Sequence, residues 1–278
     1  MISFESAPLT MPQPLLLVDS GSGGFSVLEA IQRRLPGVSF TYAADYAGCP
    51  YGDRSVEQIV SRVMALVKTA QSRRQHGLIV VACNTASTLL LDHLRVEYAI
   101  PVVGVVPAIK PACASYPGGN VLLLATPQTA HGAYLDRLES QFSNGANVQR
   151  FGSTELVRLA EQSLHSDEDI SAVTAVLEPL GATEFDAVVL GCTHFPLLRT
   201  SLQRVFSGAE LIDSSKGIAE RVAALAEKRL DYSGDNAFYV TAQFGPPQAF
   251  LERYGLNEAR CIPLGDLECS LSALCYRS

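Results

Sequence analysis

Residues 15–18, 78–82, 121–125 and 187–190 form short apolar runs with almost no interruption, and each stops abruptly at small polar residues. Side chains alternate between the two faces of a strand, so a strand is apolar throughout only when both faces are buried. That is the situation of a parallel strand between crossover helices, and amphipathic stretches at 26–35, 55–71, 154–164 and 217–230 supply the helices. The last of these follows Asp213-Ser214-Ser215, whose side-chain oxygens suit a helix N-terminus. The pattern predicts an α/β protein with largely parallel sheets, with ligands beyond the carboxyl ends of the strands.

The runs fall into two ordered pairs. One strand ends at Asp19-Ser20 before a glycine-rich turn, and 64 positions later another ends at Cys83-Asn84-Thr85. In the second pair a strand ends at Thr126 and, 66 positions later, another ends at Cys192-Thr193-His194. This repeat predicts two similar lobes that each send a cysteine from a strand end into one cleft. A hinge is expected near 103–107, where a strand-like stretch runs into Pro107, and a return crossing near 214–218. Residues 1–104 with 217–278 then make the first lobe and 105–216 the second. In the returning segment, 238–241 reads as a strand, Pro246-Pro247 as a break and 248–254 as a short helix.

At 278 residues the chain exceeds the ~150 of a typical single domain. With 47% hydrophobic and 18% charged residues, it is not a disordered chain. Twenty-one Lys+Arg against 28 Asp+Glu give a net charge of -7, which argues against nucleic acid or a membrane surface as the main partner. A small anionic substrate stays compatible if a local site supplies donors. The first eighteen residues carry no Lys or Arg, and the run at 15–18 is too short for a signal-peptide core, so a cytoplasmic protein is expected. The seven cysteines include no CxxC pair and no His at zinc spacing. They are therefore read as thiols in neither a disulfide framework nor a metal site.

Asp19-Ser20-Gly21-Ser22-Gly23-Gly24 is a strand-to-helix glycine loop, but it matches neither G-x-G-x-x-G nor a Walker motif. Two readings remain: a tight turn, or a site where Asp19 faces a ligand and unpaired N–H groups bind a carboxylate. Cys83 and Cys192 each follow an apolar run at a strand-to-helix junction, where a helix N-terminus favours the thiolate and lowers its pKa. Cys49, Cys113, Cys261, Cys269 and Cys275 read as small buried hydrophobes. Asn84, Thr85 and Thr193 offer neutral hydrogen bonds, and His194 is placed to orient or deprotonate Cys192. The loop Cys49-Pro50-Tyr51-Gly52-Asp53-Arg54-Ser55 is either a plain turn or part of a site wall. Glu161 reads by default as an exposed helical charge. The pairs Arg33-Arg34 and Arg73-Arg74 read as solvated helix ends.

VDSGSGG (18–24), CPYGDRS (49–55), VVACNTAS (80–87), PVVGVVPAIKPA (101–112), LGCTHFPLL (190–198) and LIDS (211–214) stand in the order found in glutamate racemases, a family the sequence resembles over roughly 14–230. The resemblance implies two pseudo-symmetric lobes with the active site between them. It also implies cofactor-independent racemisation of glutamate for peptidoglycan precursor synthesis. By the same resemblance Cys83 and Cys192 are the acid/base thiols, Asp19 assists the first, and Glu161 and His194 assist the second. Asp19-Ser20, Tyr51-Gly52, Asn84-Thr85 and Thr193-His194 match substrate-binding segments. The family's usual upstream Cys-Pro is Ser153-Thr154 here, and the tail from Asp231 departs from the pattern. The N-terminal dozen residues with 101–112 resemble a Gram-negative subset activated by a UDP-linked muramyl precursor. Racemisation of aspartate, a non-catalytic two-lobed anion-binding protein and a thiol–disulfide enzyme are the rival readings. A homodimer is compatible with the sequence.

Overall fold

The computed structural model describes residues 11–243 and 245–264. Cys269, Cys275 and residues 1–10 of the N-terminal extension lie outside them. Ten strands run in chain order among the described residues: β1 Leu15–Asp19, β2 Phe40–Ala44, β3 Leu78–Val81, β4 Val102–Gly104, β5 Asn120–Ala125, β6 Asn147–Gly152, β7 Ala187–Leu190, β8 Glu210–Ile212, β9 Ala237–Val240 and β10 Ala259–Cys261. They form a six-stranded sheet, β10-β9-β2-β1-β3-β4, and a four-stranded sheet, β6-β5-β7-β8. Every pairing within them is parallel. The order β2-β1-β3-β4 reappears as β6-β5-β7-β8, four strands later in each place. The predicted pairs are the central strands, β1 with β3 and β5 with β7.

Burial on both faces explains why those four runs are apolar. Leu15 and Leu17 pack into one core of the first sheet, while Leu16 and Val18 pack into another on the opposite face. In the second sheet Leu122 and Leu124 face one core, and Val121 and Leu123 the other. Full burial of a leucine or valine side chain contributes about 1.5–3 kcal/mol. The edge strand β6 has no such run. Its residues Gln149 and Arg150 are only half-buried, and Arg150 is paired with Asp136 and Glu139.

The chain passes between the sheets at two adjacent points, after β4 and after β8, where the Ser214 hydroxyl donates to the Val106 carbonyl at 2.5 Å. The helix after β8 spans Ser215–Ala226 rather than 217–230. Asp213 Oδ1 accepts from the Ser215 N–H at 2.9 Å, and beyond the helix Lys228 takes a left-handed φ of 60°. The segment after Asp231 supplies β9 and β10, which extend the first sheet beyond β2. Cys261, expected to be buried, is exposed on the edge strand β10, which has no strand outside it among the described residues. No helix among the described residues is long and apolar enough to cross a membrane.

Candidate active site

Cys83 and Cys192 each lie two residues beyond the end of a central strand, Cys83 after β3 and Cys192 after β7. Both are buried at 6% exposure. Around them the loops of one sheet interlock with those of the other, and the glycine loop lies in the contact.

That loop is held from behind by aromatic rings. The Tyr42 hydroxyl donates to the Gly21 carbonyl at 2.9 Å, and Phe25, the first residue of the following helix, stacks on Tyr42 with centroids 4.1 Å apart. Phe238, Phe250 and Tyr254 pack around Phe25, so the segment after Asp231 buttresses the loop. In front there is no room for a side chain. A Cβ on Gly23 would meet His194 Nδ1 at 2.5 Å and the His194 backbone nitrogen at 2.7 Å. Because backbone cannot step aside as a flexible side chain does, Gly23→Ala is expected to displace His194. Loss of about 10²-fold in turnover follows from an ångström-scale misplacement. The check is kcat of Gly23→Ala beside a thermal melt, which should move by only a few degrees.

Asp19 and Cys83 form the first cluster. Asp19 Oδ1 accepts from the Gly21 N–H at 2.8 Å, and Oδ2 accepts from the Thr193 hydroxyl of the other lobe at 3.0 Å. The Cys83 thiol donates to the Ser20 hydroxyl oxygen at 3.9 Å. Burial raises the Asp19 carboxyl above the ordinary carboxylate range, although His194, Gly21 and Thr193 oppose it. Burial, and then the negative charge of Asp19, also push the Cys83 thiol well above its usual value. This overturns the expectation that the helix N-terminus lowers it. Cys83 does cap the helix Asn84–Glu97, but the N–H of Ala86 is too small an influence against desolvation and a buried carboxylate.

Cys192, His194 and Glu161 form the second. Cys192 Sγ lies 3.8 Å from His194 Nδ1, and His194 Nε2 lies 2.7 Å from Glu161 Oε1. Glu161 is fully buried, which corrects the default reading of an exposed helical charge. The Ser22 N–H donates to its Oε1 at 2.6 Å. The glycine loop thus binds a carboxylate, but here it is the protein's own. Burial by itself would discharge both groups; for His194 its hydrogen bonds to Cys192 and Glu161 outweigh it and hold the imidazolium well above the ordinary range. For Glu161, the hydrogen bond and charge of His194 with the Ser22 N–H outweigh burial and hold the carboxyl below its ordinary value.

Polar groups ring these clusters. Asn84 Oδ1 is buried with no hydrogen-bond partner, which costs roughly 1–3 kcal/mol for an acceptor stripped of water. Thr85 Oγ1 lies 2.9 Å from Thr126 Oγ1 and 3.3 Å from Thr129 Oγ1, a hydroxyl cluster shared between lobes. Gly52 packs so closely that a Cβ would meet Thr154 Cγ2 at 2.5 Å and Thr126 Cβ at 2.9 Å. The Tyr51 ring flanks Cys83 and Asp19, but its hydroxyl donates to Asp45 Oδ2 at 2.8 Å, away from the thiols. Asp45 is held in turn by Arg62 at 2.6 Å and by the Thr241 hydroxyl at 2.7 Å.

Thr129 was not singled out by sequence, and Ser22 and Thr126 entered only as a member of the glycine loop and as a strand end. The cavity that touches Asn84 and Cys192 holds about 10 Å³, space for one water at most. It shares Ser26, Pro196, Asp213 and Ser215 with an outer groove of about 850 Å³. Across another part of the lobe contact, Arg158 pairs with Asp53 at 2.5 Å.

Comparison with known proteins gives a consistent result. The Asp/Glu/Hydantoin racemase family model matches residues 19–230. A glutamate racemase of Shewanella sp. (strain MR-4) is 46% identical over 217 residues, covering 77% of this chain and 80% of that protein. One from Pectobacterium atrosepticum is 42% identical over 276 residues, with 95% and 96% covered. The crystal structure of Escherichia coli glutamate racemase in complex with L-glutamate and activator UDP-MurNAc-ala has a TM-score of 0.84 at 42% identity, covering 91% of this chain and 99% of that one. The Thermus thermophilus glutamate racemase, in complex with beta-chloro-D-alanine, gives 0.72 at 30% identity, with 92% and 98% covered.

Proposed function

Since the chain belongs to the Asp/Glu/Hydantoin racemase family, we propose that it interconverts L- and D-glutamate by proton transfer between two opposed thiols, Cys83 and Cys192. One observation carries this reading: the two thiols occupy equivalent positions after β3 and β7, and each has its own acid/base neighbours.

The α-proton of an amino acid is weakly acidic, so its removal needs a strong base and stabilisation of the charge left behind. Starting from L-glutamate, the Cys192 thiolate takes the α-proton. Cys83 then gives its thiol proton to the opposite face of the same carbon. The product is D-glutamate, with the thiolate now on Cys83 and the proton on Cys192. The starting arrangement suits the electrostatics. The charge of Asp19 favours the proton on Cys83, and His194, bonded to Glu161, stands 3.8 Å from Cys192 Sγ as its proton partner. Asn84 Oδ1 is the acceptor for the substrate ammonium. Hydroxyls of Ser20, Thr85 and Thr193 and backbone N–H groups at Tyr51-Gly52 and Thr193-His194 serve its carboxylates.

The cavity beside Cys192 holds about 10 Å³ and the one beside Cys83 has no room for a water, so neither admits glutamate until the lobes, 1–104 with 217–278 and 105–216, part at the adjacent crossings. Closure then excludes water from the carbanionic centre. We place the activity in the cytoplasm, supplying D-glutamate for peptidoglycan precursors. The likeness to the E. coli structure supports activation by a UDP-muramyl-alanine precursor.

The test is circular dichroism of L-glutamate with the purified protein, with and without UDP-MurNAc-Ala, beside an equal run on L-aspartate. The glutamate signal should decay to zero, faster with the activator, while aspartate is unchanged. Decay of aspartate alone would shift the substrate. No decay of either, with glutamate binding that survives loss of both thiols, would make the protein a non-catalytic anion binder.

A further inference from the structure

The reaction leaves Cys49 unused, yet this thiol lies beside the paired His194 and Glu161. Its Sγ, a ring nitrogen of His194 and a carboxylate oxygen of Glu161 all lie within 4.8 Å of one another, and all three residues are buried. The sequence hid this grouping because the three are far apart in the chain. An ideal Cβ built on Gly21 would lie 3.0 Å from His194 Nε2, 3.1 Å from Cys49 Sγ and in contact with Glu161 Oε1, so the three atoms converge on one region. The same His194 nitrogen is bonded to Glu161, while Nδ1 faces Cys192.

From this convergence we propose that Cys49, His194 and Glu161 form an inhibitory binding site for a soft divalent cation, with zinc as the fitting ion. Thiolate, imidazole and carboxylate are the zinc donor set, at about 2.3, 2.0–2.1 and 2.0–2.2 Å from the metal. One thiolate and one carboxylate neutralise a 2+ ion, so the occupied site carries no net charge into a buried region. Binding expels the thiol proton of Cys49 and the proton shared by His194 and Glu161. Each ligand bond replaces a bond to that proton or to water. His194 Nε2 is then committed to the metal, and Glu161 no longer supports an imidazolium beside Cys192. The site also spans the cleft. Cys49 follows β2 of the first sheet, whereas Glu161 and His194 flank β7 of the second. An ion held by all three pins the lobes in their closed position, where the cavity is too small for an amino acid. The inhibitory consequence rests on the racemase reading, but the metal site itself does not.

The experiment has two readouts. Cobalt(II), added to purified protein as a spectroscopic substitute for zinc, should give a thiolate-to-metal charge-transfer band. The band should persist in a Cys83→Ser/Cys192→Ser double variant and vanish in Cys49→Ser. In the glutamate assay, Cys49→Ser should keep its rate within a few-fold. Loss of even an outer partner of a metal ligand costs roughly 10- to 100-fold in affinity. The zinc concentration for half-inhibition of Cys49→Ser should therefore rise by at least about tenfold. A cobalt band that follows the two catalytic thiols, or equal zinc sensitivity with and without Cys49, would overturn the site. Should Cys49→Ser fail to fold, the double variant still decides, because absence of the band there rejects Cys49 as ligand. A protein without racemase activity that shows the Cys49-dependent band would fail the functional reading and keep the metal site.

Discussion

Cys83→Ser and Cys192→Ser are each expected to lower racemisation by roughly 10²–10⁴-fold, the range that a positioned acid or base contributes, while far-UV circular dichroism stays that of the parent. A serine hydroxyl is almost isosteric but is a far poorer acid and base near neutral pH than a thiol. Each thiol serves as base in one direction and as acid in the other, so either loss slows both directions. The surroundings should make the two losses differ in kind. Cys192→Ser leaves the imidazole–carboxylate pair of His194 and Glu161 without the thiol it serves. Cys83→Ser leaves the buried Asp19 charge beside a neutral hydroxyl. Cys113→Ala is the control. Cys113 is buried in the second sheet's core away from both clusters, and its loss should change turnover by no more than a few-fold. Wild-type turnover in either catalytic variant would reject the two-thiol assignment.

In deuterium oxide, the first D-glutamate formed from L-glutamate is expected to carry deuterium at the α-carbon, while the remaining L-glutamate stays protiated. A thiol holds a single proton. When Cys192 takes the substrate's α-proton it can return only that same proton unless it exchanges first, so recovered L-glutamate keeps protium. Cys83 has equilibrated with solvent before the substrate binds and delivers deuterium to the other face. Proton exchange inside the closed site must be slow for this partition to be clean, and the 10 Å³ cavity leaves little water to carry it out. The measurement is mass spectrometry of the two enantiomers, separated after the reaction is stopped at low conversion. Protium in most of the early D-glutamate would mean that one base carries the proton across, and would exclude opposed thiols.

Much of this protein is legible without coordinates because its determinants are local. A run such as LLLVD at β1 is apolar at successive positions, and only a strand buried on both faces accommodates that, so the central strands of both sheets can be read directly. The strand-end cysteines follow from the same runs, since the carboxyl end of a parallel strand is where a side chain meets a ligand. The doubled spacing of 64 and 66 positions anticipates the matching strand orders of the two sheets.

What the tertiary structure decided depends on groups brought together from distant parts of the chain. Glu161 stands on an ordinary amphipathic helix, and nothing within that helix says that it meets the Ser22 N–H and His194 in a fully buried site. Gly21 and Gly23 read in sequence as a tight turn or a carboxylate-binding loop, and only the facing Glu161, Thr193 and His194 explain why no side chain fits there. Cys261 looks like other buried thiols until the sheet order puts it on an outer edge. Acidity was the least legible property of all. The helix N-terminus at Cys83 is a local feature and points toward a lowered pKa, but the outcome is set by burial and by the carboxylate of Asp19, which depend on the whole fold. Periodicity and capping act over a few residues and are written in order along the chain; desolvation and charge pairing act through space, so only the folded arrangement determines them.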